Sequence, residues 1–178
     1  MDYTGERVVP WNPESGIILH HHVERYAWAM QFVAGKTVAD LGCGCGYGSY
    51  MLSWIAQSVV GVDIDLETIR FCKEHFHAEN LRFQAGDVEG WLPDAQVYVL
   101  FEVLEHTRDP TALLECIEGT SLWSLPILDD SMFHRHLYSV KRAETMGNGG
   151  IWCQSADGLI VPRAKTDFRP KYVLGVRE

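Results

Sequence analysis

Short apolar runs alternate with stretches of helical periodicity along most of the chain. The runs at 37–41, 59–63, 81–85, 96–101, 120–125, 150–154 and 171–176 predict strands. Several are rich in β-branched residues and bounded by Gly, Asp or Pro, as strands tend to be. Helical patterns fill the gaps at about 20–34, 47–57, 66–77, 110–118 and 140–146. Asp65 precedes one of them as an N-cap, with Leu66, Ile69 and Phe76 on one side. Asp109 caps another, with Pro110 at its first helical position, and Ser139 opens the last, which stops at Gly147.

Strand–helix alternation predicts an α/β fold with a mostly parallel sheet and helices on both faces. Ligands in such sheets bind outside the carboxyl ends of the strands, where the strand order reverses. The tail breaks the alternation. Residues 150–162 and 171–176 look like two strands with no helix between them, which predicts an antiparallel edge. With 178 residues, 47% of them hydrophobic, the chain can bury one substantial core. No linker or repeat divides it, so residues 1–178 are expected to form a single domain. Its parts would be an N-terminal helical or lid segment (1–36), a ligand-binding core (37–125), and a loop, helix and edge hairpin on the acceptor side (126–178).

Charge narrows the partners. The formal net charge is −9, and nucleic acid binding needs Lys and Arg to neutralise phosphates, so nucleic acid is not an expected partner. Residues 141–178 carry seven Lys/Arg against four Asp/Glu (+3), while the remainder carries eight against twenty (−12). This basic tail reads as a solvated surface. Five cysteines (43, 45, 72, 116, 153) show no framework spacing, which predicts free thiols in a reducing cytoplasm, or in the host cytoplasm if the source is viral. Cys43 and Cys45 lack a second pair to complete a tetrahedral site, so no metal is expected there. No apolar run approaches the ~20 residues of a membrane span, and the N-terminus does not resemble a signal peptide.

The most informative segment is Val38-Ala39-Asp40-Leu41-Gly42-Cys43-Gly44-Cys45-Gly46-Tyr47-Gly48. A strand runs into a glycine-rich turn and a helix start, where backbone can pack against a flat polar ligand. A dinucleotide site wants a third glycine at position 47, where Tyr47 stands. That spacing argues against an NAD-dependent oxidoreductase, which remains the alternative of a different class. Asp63 ends the next strand, 21 residues beyond Gly42, and an acid so placed accepts hydrogen bonds from ribose hydroxyls. Gly86-Asp87-Val88 ends the third strand. Phe101-Glu102 ends the fourth and leads into Val103-Leu104-Glu105-His106.

Together these motifs resemble the class I S-adenosylmethionine-dependent methyltransferases. Asp40 to Gly46 matches the family's first motif, Asp63 its second-strand acid, and Gly86-Asp87-Val88 its adenine motif. Leu104-Glu105-His106 matches the signature after strand four. Gly5-Glu6-Arg7-Val8-Val9-Pro10, Glu24-Arg25-Tyr26 and Phe133-His134 resemble a small bacterial and phage subgroup. The resemblance implies a Rossmann-like, seven-stranded, mostly parallel sheet with an antiparallel last strand. It implies S-adenosylmethionine as cofactor and S-adenosylhomocysteine as product. Gly42, Gly44 and Gly46 would approach the methionine part, and Asp40 would order the turn. Asp63 with Ile64 would hold the ribose, Asp87 with Val88 the adenine, and Phe101 with Glu102 the methyl-donor side. One departure stands out. The usual long connection before strand five shrinks to Glu118-Gly119, so the acceptor region is small.

The acceptor itself is left open by these residues. Post-strand-four Asn/Asp-Pro-Pro-Tyr and a Pro-Cys nucleophile are both absent, which with the acidic charge argues against nucleic acid. A small-molecule or glycan-like acceptor is expected, with O-methylation favoured because His106 and His134 are candidate bases. His134 and His136 alternate in an extended stretch, which would put both on one side, where they could bind metal or act on substrate. Of His20-His21-His22, all three cannot face one site. Tyr3, Trp11, Tyr26 and Trp28 would form a lid or simply pack. An oligomer is compatible with so small an acceptor region, and a non-catalytic S-adenosylmethionine-binding protein is a further alternative.

Overall fold

The computed structural model describes residues 8–127 and 134–178. Tyr3, the Gly5-Glu6-Arg7 part of the N-terminal motif, and Phe133 lie outside them. Eight strands form one hydrogen-bonded sheet among the described residues: β1 (Thr37–Leu41), β2 (Ser58–Asp63), β3 (Leu81–Ala85), β4 (Val97–Phe101), β5 (Thr120–Pro126), β6 (Gly150–Gln154), β7 (Ile160–Pro162) and β8 (Tyr172–Arg177). Their order across the sheet is β3-β2-β1-β4-β5-β8-β6-β7. The first five are parallel, and the last three run antiparallel to their neighbours. The order reverses between β1 and β4, which places the crevice expected of such a sheet at the carboxyl ends of those two strands.

One strand more than expected is present. The stretch 150–162 is not a single strand. Ser155 and Leu159 close a turn, with Ser155 N donating to Leu159 O at 3.0 Å and Leu159 N donating to Ser155 Oγ at 3.1 Å. This folds β7 back onto β6. The last strand, β8, then slots between β5 and β6, so the sheet's edge is β7.

Among the described residues five α-helices accompany the sheet: α1 (Gly16–Val33), α2 (Tyr47–Ser53), α3 (Leu66–His75), α4 (Pro110–Glu115) and α5 (Val140–Glu144). The predicted caps are in place. Asp65 accepts from Glu67 N, Asp109 from Ala112 N and Ser139 from Arg142 N. The predicted ends overran for α2 to α5, and α1 begins earlier than expected. After α2, the amides of Trp54, Ile55 and Ala56 bond back to Met51 and Leu52 carbonyls, and the amide of Gln57 turns to Lys36 O to feed β2.

Parallel strands covered on both faces are apolar on both, and alternate residues here serve opposite cores. Val97, Val99 and Phe101 join Tyr26, Ala29 and Val33 of α1 and Leu52 of α2. Tyr98 and Leu100 face Leu113 and Leu114 of α4 and Ala143 of α5 on the other side. Between α4 and β5 the chain passes so close to the start of β4 that a Cβ on Gly119 would lie 2.7 Å from Gln96 O. Among the described residues, no helix is long and apolar enough to cross a membrane.

Candidate functional site

A cavity of about 260 Å³ opens at the carboxyl ends of β1, β2 and β4. The turn after β1 forms its floor. Gly42 and Gly44 have φ of 69° and 52°, a left-handed region that costs L-residues about 1–2 kcal/mol. They differ in what surrounds them. A Cβ on Gly42 would collide with Val103 Cγ2 at 2.5 Å, whereas a Cβ on Gly44 would meet no atom within 4 Å among the described residues. Gly44 therefore leaves open space on the cavity wall, the feature expected where backbone and ligand approach closely.

Asp63 pins this turn. Its Oδ2 accepts from Gly44 N and its Oδ1 from Asp65 N, both at 3.0 Å. The side chain is buried and lines the cavity. The division of work expected from the sequence, Asp65 as cap and Asp63 facing the site, matches this geometry, since Asp65 also accepts from Thr68 Oγ1 at 2.6 Å. Ile64, 71% exposed, offers an apolar surface at the mouth.

Asp87 and Val88 line the cavity beyond β3. Asp87 Oδ1 accepts from Glu89 N, and Glu89 in turn accepts from the amides of Arg108 and Asp109. That network ties the loop after β3 to the start of α4. Phe101 and Glu102 close the remaining side. Glu102 is the one non-glycine residue with positive φ (58°) among the described residues. Such strain costs of order 1–3 kcal/mol and collects at functional sites. Ser124 Oγ sustains it, accepting from Glu102 N at 3.1 Å and donating to Glu102 Oε1 at 2.7 Å.

Three of the expected site residues are not on the cavity wall: Asp40, Gly46 and His134. Asp40 lies behind the turn, buried, and accepts from Ser49 Oγ at 2.6 Å and from Tyr26 Oη at 3.2 Å. Burial pushes its carboxyl up to about 7, against the opposing pull of those two hydrogen bonds and with help from the charge of Asp63. Gly46 serves packing, since a Cβ there would come within 2.8 Å of Cys72 Sγ and 2.9 Å of Phe83. His134 lies beside His106, their ring centroids 5.1 Å apart, and His106 does line the cavity. His136 does not share that place. Its Nε2 sits 2.9 Å from Thr107 O, so the two alternating histidines have different jobs.

The N-terminal helix supplies what the sequence left open. Of the three successive histidines, His22 lines the cavity, while the Nε2 atoms of His20 and His21 lie 3.1 and 2.9 Å from the carbonyls of Asp157 and Ala156. Burial, with the nearby charges of Arg25 and His21, holds His22 well below the usual histidine range, and so neutral. Tyr26 also lines the cavity, and its ring lies where Gly48 would carry a Cβ, 1.9 Å from Tyr26 Cζ. Trp11 stacks on His75 and packs at a tilt against Phe71 of α3, and Trp28 packs among Phe32, Phe101 and Trp152; neither forms part of the cavity wall. The cysteines are free, with Cys116 alone exposed. A side-chain hydrogen bond with Cys72 and burial push the Cys43 thiol up, which keeps it unreactive.

The chain is similar to known methyltransferases. A family model described as a methyltransferase domain matches residues 38–119. A probable S-adenosylmethionine-dependent methyltransferase of Mycolicibacterium smegmatis is 33% identical over 116 residues, covering 64% of this chain and 45% of that protein. A ubiquinone biosynthesis O-methyltransferase of Coxiella burnetii is 30% identical over 152 residues, covering 78% of this chain and 64% of that protein. The chain thus spans from under half to just under two thirds of the length of these curated relatives. The crystal structure of magnesium protoporphyrin IX methyltransferase from Synechocystis PCC 6803, with bound S-adenosylhomocysteine, superposes with a TM-score of 0.66 at 16% identity, covering 96% of this chain and 90% of that one.

Proposed function

Because the chain belongs to the class I S-adenosylmethionine-dependent methyltransferases, we propose that it binds S-adenosylmethionine in the cavity at the ends of β1, β2 and β4. We propose further that it transfers the methyl group to a hydroxyl of a small-molecule or glycan-like acceptor. The observation that carries this reading is the space left by Gly44, walled by Asp63, where an added Cβ would meet no atom within 4 Å among the described residues.

The cofactor supplies a sulfonium-bound methyl group for in-line displacement. The chain's own residues bind and orient. Gly42 and Gly44 present backbone without side chains. The carboxylate of Asp63, fixed by two amides, would meet the ribose hydroxyls. Asp87 and Val88 stand where an adenine ring would be read. Phe101, Tyr26 and Glu102 shape the donor side. We assign His106, on the cavity wall with His134 beside it, to the acceptor's hydroxyl as the group that promotes loss of its proton. The O-methyltransferase name of the Coxiella relative supports an oxygen acceptor.

Thermal-shift titration with S-adenosylhomocysteine and with NAD, followed by transfer of a labelled methyl group to a panel of hydroxylated acceptors, tests the reading. Stabilisation by S-adenosylhomocysteine alone is expected. Stabilisation by NAD without S-adenosylhomocysteine would contradict it.

A further inference from the structure

Beside the cavity, Glu105, His106 and His134 each direct one ligand-type atom into a common space, all of these atoms within 4.8 Å of one another. The arrangement is held from several directions. Glu105 is fully buried in the short 3-10 turn Leu104–His106. The loop bearing His134 is tied to that turn through its backbone, since Arg135 N and His136 N donate to Glu105 O at 2.8 and 3.3 Å. The His136 ring adds a contact to Thr107 O at 2.9 Å. Two residues distant in sequence from His134 are thereby set against it by contacts that do not involve its side chain.

The donor set has a definite chemistry. Two imidazoles and one carboxylate suit first-row divalent ions, and three protein ligands leave coordination open for water or substrate, as in catalytic rather than structural zinc sites. Because His106 belongs both to this cluster and to the cavity wall, that open position adjoins the ligand cavity.

We propose that Glu105, His106 and His134 bind one divalent transition-metal ion, and that its open position takes the oxygen of the methyl acceptor. This departs from the sequence expectation of no metal, in which the cysteines lacked a second pair and only His134 and His136 stood as possible ligands. The first half stands on the cluster alone, and the second rests on the methyltransferase reading above. The ion's share is confined to the acceptor. It lowers the pKa of the bound hydroxyl, whose proton leaves to solvent water. The oxygen then forms a bond to the methyl carbon, while the carbon–sulfur bond breaks with its electron pair kept by sulfur. Acceptors with two adjacent oxygens, such as catechols or vicinal diols, would chelate best.

Titration of the whole chain with Co2+, followed by calorimetry and visible absorption, tests the site without any activity. One ion per chain is expected, with nitrogen/oxygen-type absorption and no thiolate charge-transfer band. His134→Ala, His134→Gln and Glu105→Gln should each weaken Co2+ more than about tenfold. S-adenosylhomocysteine affinity, measured on the same variants, should stay within about twofold, which also reports that they fold. A thiolate band, no binding, or unchanged Co2+ affinity in all three variants overturns the metal site. Wild-type chain that binds Co2+ as described but not S-adenosylhomocysteine leaves the metal site standing and removes the methyltransferase reading.

Discussion

Asp40 offers the sharpest physical test of how the glycine turn is held. Its carboxyl is buried, and burial raises it from 3.8 to about 7 despite hydrogen bonds from Ser49 and Tyr26. A group raised in the folded state stabilises fully below its unfolded value. That contribution is lost as pH rises through the folded value, because the unfolded chain releases its proton first. Between pH 5 and pH 8 the difference in bound protons integrates to roughly 2.5 kcal/mol of lost stability, using 1.36 kcal/mol per pH unit. Asp40→Asn removes the ionisation while keeping the size of the side chain. Urea unfolding of both proteins from pH 5 to pH 8 isolates this group, since every other titration is common to both. Stability of the wild type relative to Asp40→Asn should fall by roughly 2.5 kcal/mol across that range. A difference that stays constant, or that rises with pH, would show Asp40 charged throughout, with the Ser49 and Tyr26 hydrogen bonds outweighing burial.

Two other substitutions probe neighbouring contacts. Gly48→Ala places a Cβ against the Tyr26 ring and should cost about 1–3 kcal/mol in urea unfolding. In a Tyr26→Ala background the same change should be near neutral, and equal losses in both backgrounds would refute the clash. Asp63→Ala removes the acceptor for both Gly44 N and Asp65 N. At about 1.5–3 kcal/mol per hydrogen bond to a charged group, it should lower stability by roughly 3 kcal/mol and weaken S-adenosylhomocysteine more than about tenfold, both measurable by denaturation and calorimetry.

What could be read from the chain was local. Asp40, Asp63 and Asp87 stand where apolar runs stop, and the caps Asp65, Asp109 and Ser139 announce their helices with side chains that bond within three residues. Gly44 was legible because glycine alternation has few other uses. What could not be read was long-range. Which of His20, His21 and His22 faces the cavity depends on how α1 docks, and the hairpin turn at Ala156 and Asp157 claims the other two. β7 is only three residues long and ends in Pro162, too short to separate from β6 by pattern. Glu105, His106 and His134 meet because a loop after β5 returns to the tip after β4, and no local spacing encodes that return. The resemblance gave Gly46 a cofactor role, yet its neighbours are Cys72 and Phe83, and Gly48 makes room for the Tyr26 ring.

The central claim is that Gly44 is glycine to admit a ligand rather than to pack protein. Calorimetric titration of S-adenosylhomocysteine into wild type and Gly44→Ala tests it directly. A Cβ at that position meets no atom within 4 Å among the described residues, so the variant should fold, losing only the ~1–2 kcal/mol of its left-handed backbone. Wild type should bind one S-adenosylhomocysteine per chain, and the folded alanine variant should bind it more than about tenfold more weakly. Equal affinity in the two proteins, or no binding by the wild type, would contradict the account.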